Sequence, residues 1–322
     1  MATPTWRVLI GSRSFGKASP EPVARLEAAG CEVVPNTIGR AYRAAELRDL
    51  LVGVDAIVTG TDELTAEVIA GADKLRTIAK HGVGIETIDL AAARARGIVV
   101  SATPGAISDS VADLTLALLL AVARRIVPAH ASVVAGGWGN FVGTELRGRT
   151  LGIVGLGRIG QGVCLRAQAF GMTVVAHDPY PNEAFAAAHG VAFLPLPELL
   201  ANSDAVSLHA GISGLERPLL GAAEITTMRR GAFLVNTARG NLVDEAALAV
   251  ALRDGRLGGA GLDVFAAEPP LGSPLLDPGL ENVVLAPHIA GQTTDGLVRM
   301  GEMTAENCLL ALRGEPPLYR VP

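Results

Sequence analysis

The chain has 322 residues, a length past that at which one hydrophobic core usually suffices, so two domains are expected. Nearly half of it is apolar (49%) and only 18% is charged, which supplies buried sheets and excludes a disordered chain. A formal net charge of −5 excludes the basic field that nucleic-acid binding needs.

Taken in order, short β-rich runs alternate with Ala-rich helical patterns. Arg7–Ile10 is followed by a helix from Pro22 to Ala29 closed by Gly30, then by Cys31–Val34. The alternation continues with a helix over Ala44–Leu51, a strand over Asp55–Val58, a helix over Thr65–Ala70, a strand over Leu75–Ala79, a helix over Leu90–Ala95 and a strand over Gly97–Val100. Such alternation specifies a parallel, doubly wound sheet. A longer helix over Ser110–Val127 has a broad apolar surface, suited to burial or to a subunit interface. Further strands are expected near Leu151, Thr173, Ala205, Phe233, Gly261 and Val283, with a helix over Asp244–Arg253 and a last one over Thr293–Arg313 ending at Gly314. The fold class is therefore α/β, with two doubly wound parallel-sheet domains. The last helix is expected to rejoin the first domain, which makes that domain discontinuous (1–101 and 291–322) around a second one (102–290). A cleft between them would be the natural ligand site.

The start, Met1–Arg7, has no basic stretch leading into a long apolar core, and the longest uncharged apolar run, Leu114–Ala123, is short of the about 20 residues a membrane span requires. Cys31, Cys164 and Cys308 are widely spaced and form no C-x-x-C, which fits buried thiols in a reducing compartment. A cytoplasmic protein is the expectation. No H-x-x-x-H, Cys/His cluster or G-x-S-x-G is present, so neither a metal site nor a hydrolase is indicated.

The stretch that organises the chain is Thr150–Gly160, an apolar strand running into Gly155-x-Gly157-x-x-Gly160 and then into a helical pattern. The glycines allow a tight turn, close approach of backbone N–H groups to a pyrophosphate, and close helix packing. A second apolar run, Thr173–His177, ends at Asp178, 18 residues past the last glycine and near the about 20 expected of an acid that bonds a ribose 2′-hydroxyl. His177–Asn182 offers that acid and no Arg or Lys for a 2′-phosphate, so NAD is the expected cofactor.

Three polar residues fall after strands of the second domain: Arg239 in Asn236–Gly240, Glu268 in Asp263–Pro269 and His288 in Ala286–Ile289. In open α/β sheets ligands bind outside the carboxyl ends of strands. Reducing a 2-keto acid needs a planar, always charged cation for the carboxylate, a role suited to Arg239. It also needs a general acid titrating near neutrality, a role for His288 with Glu268 beside it to orient the ring. Each has a plainer reading as a surface cation, a loop acid or a satisfied histidine. Arg13 and Lys17, with Lys80 and His81, are candidates for a second anionic group on the substrate, the plainer reading being solvated loop cations.

The order Gly155–Gly160, Asn236–Gly240, Gly261-Leu-Asp-Val-Phe-x-x-Glu-Pro269 and Pro287–Gly291 resembles the D-isomer-specific 2-hydroxyacid dehydrogenase family, in its phosphoglycerate dehydrogenase-like branch. The likeness extends to His81–Leu90, similar to the family's substrate loop, and to Thr103–Ala106 with Val111–Thr115, similar to the approach to its dimer helix. It implies a Rossmann NAD domain inserted into a flavodoxin-like substrate domain, and a homodimer. It implies that Arg239 binds the substrate carboxylate and carbonyl, that His288 is the acid/base, and that Glu268 orients it. Val83 and Gly84 would offer backbone N–H groups to the carboxylate, and Asp263 would hold the nicotinamide amide. The cofactor positions it implies are Gly155, Gly157, Arg158, Ile159, Gly160, Asp178, His209, Thr237, Ala238, Asp263, His288 and Gly291. The candidate substrate positions are Val83, Gly84 and Arg239 from the resemblance, with Arg13, Lys80 and His81 from the loop-cation reading above. The implied activity is NAD-dependent hydride transfer with a 2-hydroxy or 2-keto acid, phosphoglycerate or another acid with an anionic tail among the candidates. A non-catalytic nucleotide-sensing scaffold and a phosphite-type dehydrogenase are the alternatives. Formate dehydrogenases carry Gln where this chain has Glu268, which argues against that branch.

Overall fold

The structure is a computed structural model that describes residues 6–211 and 214–322. The stretch Met1–Thr5, on which part of the reading of the N-terminus rests, lies outside the described residues. Contacts divide the chain into two units: one runs through Ile107 and resumes over Gln292–Pro322, the other is Ser108–Gly291. The first crossing falls later than the 101/102 boundary read from sequence, because Ala102 and Thr103 are tied into the first unit. Ala102 N–H donates to Tyr319 O at 3.0 Å and Thr103 N–H to Gly82 O at 3.0 Å.

In the first unit β1 (Trp6–Ile10), α1 (Glu21–Ala28), β2 (Cys31–Val34), α2 (Ala44–Leu50), β3 (Ala56–Thr59), α3 (Ala66–Gly71), β4 (Thr77–Lys80), α4 (Leu90–Ala95) and β5 (Val99–Ser101) alternate along the chain. All pairings are parallel, and the sheet order is β2-β1-β3-β4-β5, that of a flavodoxin-like sheet. Val8, Leu9, Ile57 and Ile78 are essentially buried because parallel strands are covered on both faces. Helix ends carry local caps: the Thr65 hydroxyl accepts from Val68 N–H and the Asp89 carboxylate from Ala92 N–H.

The second unit contains α5 (Ser108–Ala123), α6 (Ile126–Val134), β6 (Thr150–Val154), α7 (Arg158–Ala169), β7 (Thr173–His177), α8 (Glu183–His189), β8 (Ala192–Phe193), α9 (Leu196–Asn202), β9 (Ala205–Leu208), α10 (Ala222–Thr227), β10 (Phe233–Asn236), α11 (Glu245–Arg253), β11 (Gly259–Leu262) and β12 (Val283–Leu285). Its seven-stranded sheet runs β12-β11-β10-β9-β6-β7-β8 with every pairing parallel. This is the Rossmann order with the reversal at β6/β9, beside the Gly155 turn. The chain closes with α12 (Thr294–Leu312), whose Ala305, Cys308, Leu309 and Leu312 join the core of the first unit with Val8, Ile10 and Val58.

One helix expected over Ser110–Val127 is two. α5 stops at Ala123, and Arg125 adopts a left-handed conformation (φ 53°, ψ 40°) from which α6 starts in a new direction. A non-glycine residue at positive φ is sterically costly and ends the regular hydrogen-bond ladder there. The two helices then differ: α5 buries Val111, Leu116, Leu118, Leu119 and Val122, whereas α6 buries no residue. Among the described residues no helix is long and apolar enough to cross a membrane.

Candidate active site

The Gly155 turn is built by packing as well as by flexibility. Gly155 has φ +95°, and a Cβ there would lie 2.7 Å from the His209 carbonyl carbon. A Cβ on Gly160 would lie 2.1 Å from Gly155 O, so only glycine lets α7 approach β6 this closely. Gly157 has open space around it and starts α7 with no side-chain cap, and both it and Arg158 are exposed. The N–H groups of Arg158, Ile159 and Gly160 have no backbone partner among the described residues, and the 12-residue helix starts exposed at Gly157 and Arg158, as a pyrophosphate site requires. Asp178, at the end of β7, accepts from Leu156 N–H (2.7 Å) and Tyr180 N–H (2.8 Å) and so sits directly on the turn. The chemistry of this donor set fits NAD: free N–H groups for the phosphates and a carboxylate for the ribose. Ile159 is half-buried on the same turn of helix.

Other expected cofactor residues have different surroundings. His209 Nε2 is 2.7 Å from Ser207 Oγ, and burial pushes the imidazole down to a pKa of about 3, so it is neutral and backs the turn from behind. Thr115 Oγ1 already donates to Val111 O, so Thr237 Oγ1 must be the donor in their 2.9 Å contact. The Thr237 side chain is thereby turned into the unit, leaving its backbone as what could meet a ligand. Ala238 N–H is taken by the Asn236 carboxamide at 3.0 Å.

Arg239, Glu268 and His288 follow β10, β11 and β12, three neighbours in the sheet, at their carboxyl ends. The outer two strands are two spacings apart, roughly 10 Å, a gap that two long side chains can close on a small ligand. The Arg239 turn is set by Asn236, 1% exposed, whose amide donates to Arg239 O (2.8 Å) while its oxygen accepts from Ala238 N–H. Gly240 then lies so close to the next loop that a Cβ would fall 1.8 Å from the Phe265 carbonyl carbon. Glu268 takes Phe265 N–H on Oε1 (3.2 Å) and the His288 ring on Oε2 (Nδ1···Oε2 2.7 Å). With Nδ1–H donating to a carboxylate, Nε2 is the nitrogen left to exchange a proton with a substrate. His288 is half-exposed (53% of its side chain), as a group meeting substrate must be.

His288 itself has φ 54°, held by a buried carboxylate. Asp263, fully buried, accepts from Ile289 N–H (2.7 Å) and Ala290 N–H (2.8 Å), while its own carbonyl accepts from His288 N–H (2.9 Å). Burial raises the Asp263 pKa, the largest influence on it, and the two N–H groups oppose that. The residue expected to hold the nicotinamide amide is thus closed off from solvent and engaged by the loop carrying His288. Gly291 follows that loop, half-buried. Asn236, Gly240 and Glu245, which binds Ala266 N–H at 2.8 Å, were missed by the sequence reading. An Asn two residues before a backbone N–H at a strand end is an Asx-turn signal that marks the first of them.

In the first unit the loop after β4 is pinned by Thr103, whose hydroxyl accepts from Gly82 N–H and donates to Gly82 O, both at 3.1 Å. Beyond that clamp Val83 is exposed, and the N–H groups of Val83 and Gly84 have no backbone partner among the described residues. The expected cations fare differently. Lys80 is 6% exposed and donates to Gly60 O. His81 is buried against Phe15 (ring centroids 5.5 Å apart, edge to face) and contacts Thr304 through Nδ1 at 3.2 Å. Burial, with Lys80 alongside, pushes it down to about 4, so it brings no charge at neutral pH. Arg13 and Lys17 are exposed.

These two neutral histidines make stability acid-sensitive. Unfolded, each takes up a proton below about 6.5; folded, each resists until about 4 (His81) or 3 (His209). The unfolded chain therefore binds more protons in this window, so stability is complete above 6.5 and falls as pH drops. At pH 5 each site is expected to cost about 2 kcal/mol. Urea unfolding at pH 7.5 and 5.0 checks this, with His209→Gln expected to lose part of the difference.

A dinucleotide turn, a fixed arginine and a carboxylate-held histidine along one sheet edge are the equipment of an oxidoreductase that moves a hydride and a proton together. Residues 116–290 match the family described as D-isomer specific 2-hydroxyacid dehydrogenase, NAD binding domain. The chain is 46% identical over 271 residues to a glyoxylate reductase of Korarchaeum cryptofilum, covering 82% of this chain and 81% of that one. It is 42% identical over 275 residues to a D-3-phosphoglycerate dehydrogenase of Methanocaldococcus jannaschii, covering 84% of this chain and about half (52%) of that longer protein. Among solved structures, the TT0316 protein of Thermus thermophilus superposes with a TM-score of 0.89 at 43% identity, covering 98% of this chain and 100% of that one. This chain belongs to the D-isomer specific 2-hydroxyacid dehydrogenase family. It is an NAD-binding oxidoreductase.

Proposed function

We propose that the protein is an NAD-dependent D-2-hydroxyacid dehydrogenase acting between a small 2-keto acid and its D-2-hydroxy acid. The observation that carries this reading is the Glu268–His288 pair at 2.7 Å, joining the loops after β11 and β12 next to the Arg239 loop after β10. When bound, the reduced cofactor NADH would supply the hydride for reduction, and NAD+ would accept it in the reverse direction. Arg239 binds the carboxylate and polarises the keto oxygen, and protonated His288 gives its Nε2 proton to that oxygen as the hydroxyl forms. Glu268, bonded to Nδ1, keeps the ring aligned through the transfer. In the reverse direction neutral His288 removes the hydroxyl proton. Val83 and Gly84 would donate backbone N–H groups to the carboxylate.

For the substrate tail, the neutrality of His81 and the bond from Lys80 to Gly60 O leave only Arg13 and Lys17 exposed of the four candidate cations. We therefore favour an uncharged tail, as in glyoxylate or hydroxypyruvate, over a phosphorylated one. NADH oxidation with glyoxylate, hydroxypyruvate, pyruvate and phosphohydroxypyruvate tests this, with kcat/KM expected to be highest for an uncharged-tail acid. A preference for phosphohydroxypyruvate, lost in Arg13→Ala, would reinstate the anionic tail. No turnover with any of them, despite tight NADH binding, would favour a nucleotide-sensing scaffold.

The protein is further proposed to be a homodimer associating through α6. This helix buries nothing of its own unit, yet exposes Ile126 (54%), Val127 (47%), Val133 (57%) and Val134 (73%), with Trp138 (93%) just beyond. So large an apolar patch marks an association surface, and a second copy of the same patch is self-complementary. Light scattering is expected to give twice the 33.1 kDa chain mass, and Val133→Asp with Val134→Asp to give the monomer. The three unpaired, buried cysteines support a reducing, cytoplasmic setting.

A further inference from the structure

The opposite edge of the second unit's sheet carries a cluster that the dehydrogenase chemistry does not use. Arg149 immediately precedes β6, Asp204 precedes β9, and Arg229-Arg230-Gly231 lead into β10, three adjacent strands whose amino ends lie side by side. Together these residues line a cavity of about 50 Å³ floored by Met172 and Phe233. Its charge is unbalanced, with three guanidinium groups against one carboxylate.

That carboxylate is already committed. Asp204 Oδ1 lies 3.0 Å from Arg229 and 3.5 Å from Arg149, and Oδ2 accepts from Thr150 N–H at 2.9 Å. Arg230 has no acceptor among the described residues. The usual structural use of a cation at this level is to bond the carbonyls that end a helix. Arg256 fills that role for α10, donating to Thr226 O and Met228 O, so Arg229 and Arg230 are not needed for it.

Surplus guanidinium groups around a small recess are suited to one chemical class. Their planar forks match the oxygens of a tetrahedral oxyanion, and a dianion would cancel the excess positive charge of the lining. A single water needs about 10–15 Å³ of cavity space, so the recess has room for a larger group. We propose that this amino-edge cavity is a binding site for a small tetrahedral dianion, either inorganic phosphate or the phosphate group of a phosphorylated metabolite, separate from the NAD and substrate positions.

The experiment uses the NADH-saturated enzyme, so that the Gly155 turn is occupied throughout. Sodium phosphate and glycerol 3-phosphate are titrated at constant ionic strength made up with chloride, reading Tm. A saturable rise of about 2 °C is expected for at least one of them. A rise with phosphate alone identifies a free ion, and a larger one with the ester identifies a metabolite. Arg230→Gln, which leaves both partners of Asp204 in place, is expected to remove at least half of the rise with kcat and KM unchanged. Arg229→Gln with Arg230→Gln should remove all of it. A response matched by chloride, one that does not saturate, or one kept in full by both variants overturns the proposal.

Discussion

Replacing His288 with alanine is expected to lower kcat about 10³-fold while NADH affinity stays near that of the parent. The expected loss follows from position: Glu268 fixes the ring through Nδ1 and leaves Nε2, on a half-exposed side chain, as the nitrogen open to the proposed proton exchange. Glu268→Gln keeps a hydrogen-bonding partner at Oε2 but removes its charge, so its kcat should lie between those of parent and His288→Ala. Stopped-flow NADH oxidation with saturating keto acid, beside NADH fluorescence titration, separates chemistry from binding. A His288→Ala enzyme that keeps kcat within about threefold of the parent would assign the proton to another group.

A second large effect is expected at a residue with no chemistry at all. In Gly240→Ala the new methyl would sit 1.8 Å from the Phe265 carbonyl carbon and 2.1 Å from its oxygen, both backbone atoms that cannot swing aside. The Arg239 turn and the loop that starts toward Glu268 must part, and displacing reacting groups by about 1 Å costs on the order of 100-fold in rate. The overpacking itself should destabilise the protein by about 1–3 kcal/mol. Gly71→Ala is the matching control, since a Cβ there meets nothing within 4 Å. Steady-state kinetics and urea unfolding of both variants check the pair, and parent-like kcat/KM in Gly240→Ala would show that the two loops are not held in register.

What the sequence disclosed and what it hid divide along a physical line. The Gly155-x-Gly157-x-x-Gly160 spacing, the acid at Asp178 and the alternation of strands and helices are local signals, because tight turns and strand periodicity need only near neighbours. The placement of Arg239, Glu268 and His288 after neighbouring strands was legible because strand ends can be read locally and parallel order brings them to one edge. The fate of Lys80 and His81 was not. Whether a residue at the end of β4 turns inward depends on what packs over it, here Gly60, Phe15 and Thr304 from distant stretches. The break at Arg125 was equally hidden, since the helical pattern expected over Ser110–Val127 runs across it and only the chain path shows the left-handed residue there. Asp263 shows a third limit: the motif points to a carboxylate, while only the structure shows it buried beneath the His288 loop.

That burial has a consequence for how the enzyme meets its substrate. The loops bearing Arg239 and His288 are closed by side-chain bonds to their backbones, from Asn236 in one case and from Asp263, at the end of the neighbouring strand, in the other. The entropy of ordering them is lost when the chain folds and is not lost again at each turnover. A substrate of only a few atoms, with little binding energy available for arranging a site, therefore finds the arginine loop and the proton donor's loop already in position.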